Sequence, residues 1–219
     1  MPSPAVIQNS AKIRTVFLDR DGVINRKAPE GEYIRSVGEL EVLPGVPQAV
    51  ARLNGAGLRT IVLSNQRGIA KGLYSAEDVE AIHEAIQRAL ARHGAKLDAF
   101  FVCPHDKDQC LCRKPLPGMF EQAVKTFCEV RADESVMIGD SLVDIEFGRR
   151  LGMRTILVGD ALELDGDDSG RTGLHRPGLN RPGLDEAVRL ADRRVDSLPA
   201  AVDLLLSSGF RRVSETDPQ

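Results

Sequence analysis

Val16-Phe17-Leu18-Asp19-Arg20-Asp21-Gly22-Val23 is the stretch on which the reading of this 219-residue chain turns. An apolar run stops at two carboxylates two positions apart, and a glycine follows at once. That pattern reads as a buried strand opening into a turn. It sets Asp19 and Asp21 at the carboxyl end of a strand, where open α/β sheets bind their ligands. Two close carboxylates repel, so such a pair calls for a cation or a shared proton. One can attack an electrophile while the other handles protons. Taken alone, the pair reads equally well as a solvated acidic turn.

Working outward, short apolar segments bounded by Gly, Pro or polar residues predict further strands at 59–64, 99–103, 135–139 and 154–158. Between them lie helical patterns. The clearest starts after Ser75, which with Asp78 approximates a capping box, and it carries an apolar face of Val79, Ile82, Ile86 and Leu90. Others fit 47–54, 118–127 and 142–151, and a last strand near 194–195 with a helix over 199–206 would close the fold. Strands alternating with helices imply a mostly parallel sheet covered on both faces. One domain is expected over 1–219, with its core at about 13–208. The stretch 160–185 is rich in Gly and Asp, repeats Arg-Pro-Gly-Leu at 176–179 and 181–184, and reads as a loop.

Composition narrows the function classes. Hydrophobic residues at 42% and charged residues at 28% exclude a disordered chain. A net charge of −3 argues against nucleic acid or an anionic membrane as the main partner. No apolar run approaches the length of a bilayer span, and the first fifteen residues lack a signal-peptide pattern. A cytoplasmic protein, monomeric by default, is the expectation.

Each predicted strand end carries polar residues of complementary type. The second ends in Ser64-Asn65-Gln66-Arg67-Gly68, the third connection holds Arg113-Lys114-Pro115, and the fourth ends in Gly139-Asp140-Ser141-Leu142-Val143-Asp144. Asp140 would join the first two carboxylates, with Asp144 one helical turn on. Such an oxygen-rich nest suits Mg²⁺, and a hydroxyl and a lysine facing it could hold a phosphoryl group. The cysteines add a second pattern. Cys103-Pro104-His105 and Cys110-Leu111-Cys112 give C-x-H-x4-C-x-C, four ligands in one short loop, which matches a closed structural Zn²⁺ site. The competing reading is three reduced cysteines and a surface histidine. Cys128 reads as a helix core residue, and His83, His93 and His175 as surface residues.

D-x-D-G, S-N-Q, R-K-P and G-D-x-x-x-D, in that order over about residues 13–160, resemble the four motifs of the haloacid dehalogenase superfamily of phosphatases. The resemblance implies a Rossmann-like parallel sheet and a residue-by-residue mechanism. Asp19 would be the nucleophile, Asp21 the general acid and base, and Ser64 and Lys114 the phosphoryl-binding groups. Mg²⁺ would lie on Asp19, the backbone carbonyl of Asp21 and Asp140, and Asp144 would orient the lysine or a metal-bound water. The zinc loop running into C-R-K-P further resembles the heptose 1,7-bisphosphate phosphatases and the related histidinol-phosphate phosphatases. Asn25, the run S-N-Q-R-G-I-A-K-G from 64 to 72 and Leu116-Pro117-Gly118-Met119 lean towards the heptose group, in which Ser141 is often lysine. On that resemblance the partner is a small phosphorylated sugar, with Arg113, aided by Asn25, Asn65, Gln66 and Arg67, gripping it. About 45 residues separate the first two motifs, much of them helix-like, so only a small cap is expected. A catalytically quiet phosphosugar-binding protein on the same fold is the competing class.

Overall fold

The computed structural model describes residues 12–159 and 183–207. Within them lies a six-stranded, wholly parallel sheet of order β3-β2-β1-β4-β5-β6. The strands are β1 (Thr15–Leu18), β2 (Arg59–Asn65), β3 (Ala99–Cys103), β4 (Ser135–Gly139), β5 (Arg154–Val158) and β6 (Arg193–Val195). The helices are α1 (Val46–Gly55), α2 (Ala76–Ala91), α3 (Gly118–Thr126), α4 (Leu142–Leu151), α5 (Leu184–Leu190) and α6 (Leu198–Leu206).

The central strands are apolar on both sides because both sides are covered. Val16 and Leu18 pack with residues of α1, α2 and α6, including Leu53, Ile82 and Val202. Phe17, one residue out of phase, packs with Met119 of α3 and Phe147 of α4. This is why β1 reads as an unbroken apolar run rather than an alternating one. The capping box of α2 forms: Asp78 N donates to Ser75 Oγ at 3.1 Å, and Ser75 N donates to Asp78 Oδ2 at 2.8 Å.

The strand order places the site. The chain winds outward from β1 through β2 to β3, then crosses back to β4 on the other side of β1. Leu18 is in register with Ile138 of β4, and the Asp19 amide donates to the Ile138 carbonyl at 2.9 Å. The turns after β1 and β4 are therefore side by side at the point where the winding reverses, which is where such sheets bind ligands. Gly22 takes φ 92°, and a Cβ there would overlap the Asp140 carboxylate, so glycine is what lets the two turns close on each other.

Several expectations need correction. Between the first two motifs the helix is only the ten residues of α1; residues 26–45 are mostly irregular apart from a 3-10 turn at Val37–Glu39. Helix α5 starts inside the stretch expected to be loop, and residues 160–182 lie outside the described residues, His175 among them. Cys128 is exposed, because α3 stops at Thr126 and the cysteine falls in the following turn. His83 is buried, stacked on Phe100 with ring centroids 4.2 Å apart. Its position, four residues after Val79 and one after Ile82, had put it on the apolar face of α2 all along. Among the described residues no helix is long and apolar enough to cross a membrane.

Candidate active site

The strand ends surround a crevice of about 360 Å³, lined by Asp19, Asp21, Ser64, Lys114, Asp140 and Asp144, and by residues 27–34 as a strap. Lys114 is its electrostatic centre. The side chain is almost wholly buried, and its ammonium donates to Asp19 Oδ1 and to the Leu63 carbonyl, each at 2.7 Å. It also lies 2.6 Å from Asp144 Oδ1. Burial opposes its charge, but the Asp144 and Asp19 carboxylates outweigh burial and raise its pKa, so it stays protonated. Asp144 is fixed in turn by the Ser141 hydroxyl, which donates to Oδ2. Asn65 bridges β2 to this loop: Lys114 N donates to its Oδ1 at 3.0 Å, and its Nδ2 donates to the Lys114 carbonyl at 3.2 Å.

The two opening carboxylates sit in opposite environments. Asp19 has its pKa pushed up to about 7 by burial, with Lys114 opposing and Asp144, Asp140 and Asp21 adding to the rise. Asp21 is held below its ordinary range. Burial would raise it, but Arg20, Asn25 and Gln66 all donate to it and prevail. Arg20 Nη2 reaches both oxygens at 3.0 and 2.9 Å, Asn25 Nδ2 reaches Oδ1 at 2.9 Å, and Gln66 Nε2 reaches Oδ2 at 3.0 Å. Gln66 also donates to Ser64 Oγ at 2.7 Å, which leaves the serine its own proton to donate.

Asp19, Asp140 and Asp144 each offer an oxygen within 4.8 Å of the others. Asp140 Oδ1 is buried without a hydrogen-bond partner, and burial raises the Asp140 pKa. A clustered, oxygen-only, under-neutralised donor set fits a hard divalent cation such as Mg²⁺. A second cluster, Cys103, His105, Cys110 and Cys112, meets the same 4.8 Å limit. Its Sγ–Sγ separations of 3.4 Å (103–110) and 3.3 Å (110–112) are far too long for disulfides. They approach the edge of a tetrahedron about 3.7 Å across for a Zn–S bond of about 2.3 Å. Thiolates with one imidazole fit zinc. The loop they would close runs straight into Arg113 and Lys114.

Not every residue expected to hold substrate reaches the crevice. Arg113 lines it, with Nη1 buried and unpartnered, and so do Asn65 and Gln66. Arg67 is instead ion-paired to Asp106, tying the β2 turn to the cysteine loop. Asn25 is fully buried, and its amide serves Asp21 and the Arg26 carbonyl, so it orients the carboxylate and is not among the residues lining the crevice. Three participants were missed from the sequence. Arg20 is buried on Asp21, although its place between the two aspartates was a signal in plain view. Tyr74 donates to Gln66 Oε1 at 2.7 Å. Lys27 reaches Asp140 Oδ2 at 2.6 Å across 113 residues of chain, and no local pattern marked it.

This geometry agrees with what the chain is similar to. The model of the haloacid dehalogenase-like hydrolases matches residues 9–152. The D-glycero-beta-D-manno-heptose-1,7-bisphosphate 7-phosphatase of Bordetella bronchiseptica is 39% identical over 147 residues, 67% of this chain and 80% of that protein. The D-glycero-alpha-D-manno-heptose-1,7-bisphosphate 7-phosphatase of Mycobacterium tuberculosis is 41% identical over 137 residues, 62% of this chain and 72% of that protein. The crystal structure of the D,D-heptose 1,7-bisphosphate phosphatase from B. bronchiseptica, complexed with magnesium and phosphate, superposes with a TM-score of 0.71 at 35% identity, covering 90% of this chain and all of that one. The enzyme of that name from Burkholderia thailandensis gives 0.58 at 33%, covering 89% and 99%. With a family match over well more than half the chain, and four strand-end motifs converging on one crevice, this protein belongs to the haloacid dehalogenase-like hydrolase family.

Proposed function

We propose that the protein is a magnesium-dependent phosphomonoesterase that removes the 7-phosphate of D-glycero-D-manno-heptose 1,7-bisphosphate through an aspartyl-phosphate. The observation that carries the chemistry is Lys114 buried between Asp19 and Asp144 beside an Asp21 held by three donors. The relatives named above support the substrate.

Lys114 holds Asp19 Oδ1, and no hydrogen bond among the described residues takes Oδ2, which leaves Oδ2 for attack. The new O–P bond forms as the ester P–O bond breaks, and Asp21 delivers a proton to the departing alkoxide. Asp21 is ionised in the free protein, and the negative phosphoryl group beside it raises its proton affinity when substrate binds. Asp21 then takes a proton from water, whose oxygen attacks phosphorus and releases phosphate and free Asp19. Lys114 and the Ser64 hydroxyl stabilise the equatorial oxygens in both steps. Mg²⁺ on Asp19, Asp140 and the Asp21 carbonyl would neutralise the facing carboxylates and the phosphoryl charge. Arg113, with its unpartnered Nη1, suits the substrate's second, non-reacting phosphate. That second anion favours a bisphosphate over a monophosphate amine.

The test is phosphate release from heptose 1,7-bisphosphate against histidinol phosphate, with Mg²⁺ supplied and withheld. A kcat/KM preference for the bisphosphate of a hundredfold, about 3 kcal/mol, is expected. A preference the other way assigns the histidinol-phosphate reading, and no release from either leaves the non-catalytic class.

Metal loading should also show in pH-dependent stability. Asp19 binds its proton more tightly folded than unfolded, so its contribution is full below an ordinary pKa of 3.8 and is lost as pH rises through about 7. His83, pushed down to about 4 by burial and by Arg20, slopes the opposite way with or without magnesium and cancels from the difference. The gap in melting temperature between magnesium-saturated and magnesium-free protein should therefore widen from pH 5 to pH 8. A gap independent of pH would contradict the placement of the cation on Asp19.

Zinc in the cysteine loop would act by holding Arg113 and Lys114 in place. Cys110→Ser should purify without zinc by metal analysis and lose activity by about a hundredfold, the scale of a displacement near 1 Å at a reacting centre. Wild-type protein without zinc would remove this part of the proposal.

A further inference from the structure

Among the described residues, Lys27 is the one cation ion-paired to the carboxylate cluster that is not locked. Arg20 and Lys114 are almost fully buried and multiply bonded. Lys27 is half exposed on the strap and, among the described residues, its ammonium hydrogen-bonds to Asp140 Oδ2 alone, at 2.6 Å, while the Asp140 side chain is 8% exposed. The carboxylate is thus the fixed partner and the ammonium the movable one. Among the described residues no other lysine or arginine is ion-paired to Asp140, and position 141 is serine with its hydroxyl committed to Asp144.

Charge balance then sets what Lys27 does. Among the directly ion-paired groups, Asp19, Asp21, Asp140 and Asp144 meet Arg20, Lys27 and Lys114, one negative charge in excess when all are ionised; Arg113, Glu30 and Glu32 also line the crevice. A divalent cation turns that into one positive charge in excess. It also places two further charges close to an ammonium that already shares the Asp140 carboxylate. The buried cations cannot leave, so the repulsion falls on Lys27. A phosphate dianion entering the same crevice reverses the sign again and offers the freed ammonium a partner, within reach of a side chain whose residue already lines that crevice.

We propose that Lys27 is a substrate-binding residue held in reserve, resting on Asp140 until the metal loads and then turning to the substrate's phosphate. This rests on the phosphatase reading above. It makes metal and phosphate binding cooperative by linkage, because the metal removes the competing acceptor of the group that phosphate uses.

The experiment is trace acetylation of wild-type protein, zinc left in place, with site-by-site mass spectrometry and exposed Lys125 as internal reference. Magnesium binding is measured in parallel by calorimetry. Labelling of Lys27 relative to Lys125 should rise several-fold when Mg²⁺ is added and fall again when inorganic phosphate follows. Lys27→Met should bind Mg²⁺ more tightly than wild type and raise KM for the bisphosphate about tenfold, the worth of one charge-assisted hydrogen bond. Calorimetric binding of Mg²⁺ with Lys27 labelling unchanged overturns this proposal and leaves the phosphatase reading standing. Labelling that rises with Mg²⁺ but ignores phosphate, or a Lys27→Met protein with unaltered magnesium affinity, also overturns it. Absence of any Mg²⁺ binding overturns both.

Discussion

Asp19→Asn is expected to abolish turnover, by on the order of 10⁴-fold or more, in a protein that folds as well as the parent. The loss follows from removing the attacking oxygen: an amide has neither the charge nor the lone-pair reactivity to open a phosphate ester. The intact fold follows from the surroundings of Asp19. Its carboxylate is buried among Asp144, Asp140 and Asp21, which is why its pKa rises to about 7. Neutralising it relieves repulsion, and Lys114 keeps Asp144 and the Leu63 carbonyl as partners. Above pH 7 and without magnesium, the variant should melt no lower than the parent. Phosphate release at a tenth of the parental rate or more would rule out Asp19 as nucleophile.

Lys114→Met should be damaging in a different way. It removes a cation that two buried carboxylates share, and stranding such charges costs about 3–5 kcal/mol. It also removes a donor to the transferring phosphoryl group, a loss of about 10²–10³ in kcat. The two effects separate in a second variant. Adding Asp144→Asn to Lys114→Met neutralises one stranded carboxylate, so stability should partly recover while activity does not. Denaturant unfolding together with kcat checks both; activity returning along with stability would make Lys114 a purely structural residue.

The contrast between these two residues shows what was legible in the chain. Asp19 could be read locally, because an apolar run ending in D-x-D-G has few meanings. Strands β1, β4 and β5 begin and end where predicted because strands buried on both faces demand a near-continuous apolar sequence, and the partly buried edge strand β3 matches its predicted bounds as well. The capping box of α2 was legible for the same local reason. Cys128 was misjudged because residue type was taken for role, and Arg67 and Asn25 are engaged by protein partners that no local pattern announced. Whether an arginine grips a ligand or a neighbouring aspartate depends on where its side chain points, and Asp106 was the better-placed partner for Arg67. His83 carries the opposite lesson. A helix face that buries Val79, Ile82 and Ile86 buries whatever else stands on it, and stacking on Phe100 compensates the ring.

By itself, the sequence determined the strand ends, the parallel α/β fold and the inventory of reactive groups. These depend on hydrophobic period and turn chemistry within a few residues. Only the tertiary structure decided which carboxylate is charged, because Asp19 and Asp21 are chemically identical side chains two positions apart. Their difference comes from Arg20, Asn25 and Gln66 gathered on one, and from burial beside Asp140 and Asp144 on the other. It alone also brought Lys27 to Asp140. Electrostatics acts through distance in space, and a separation of 113 residues along the chain says nothing about a separation of 2.6 Å across a crevice.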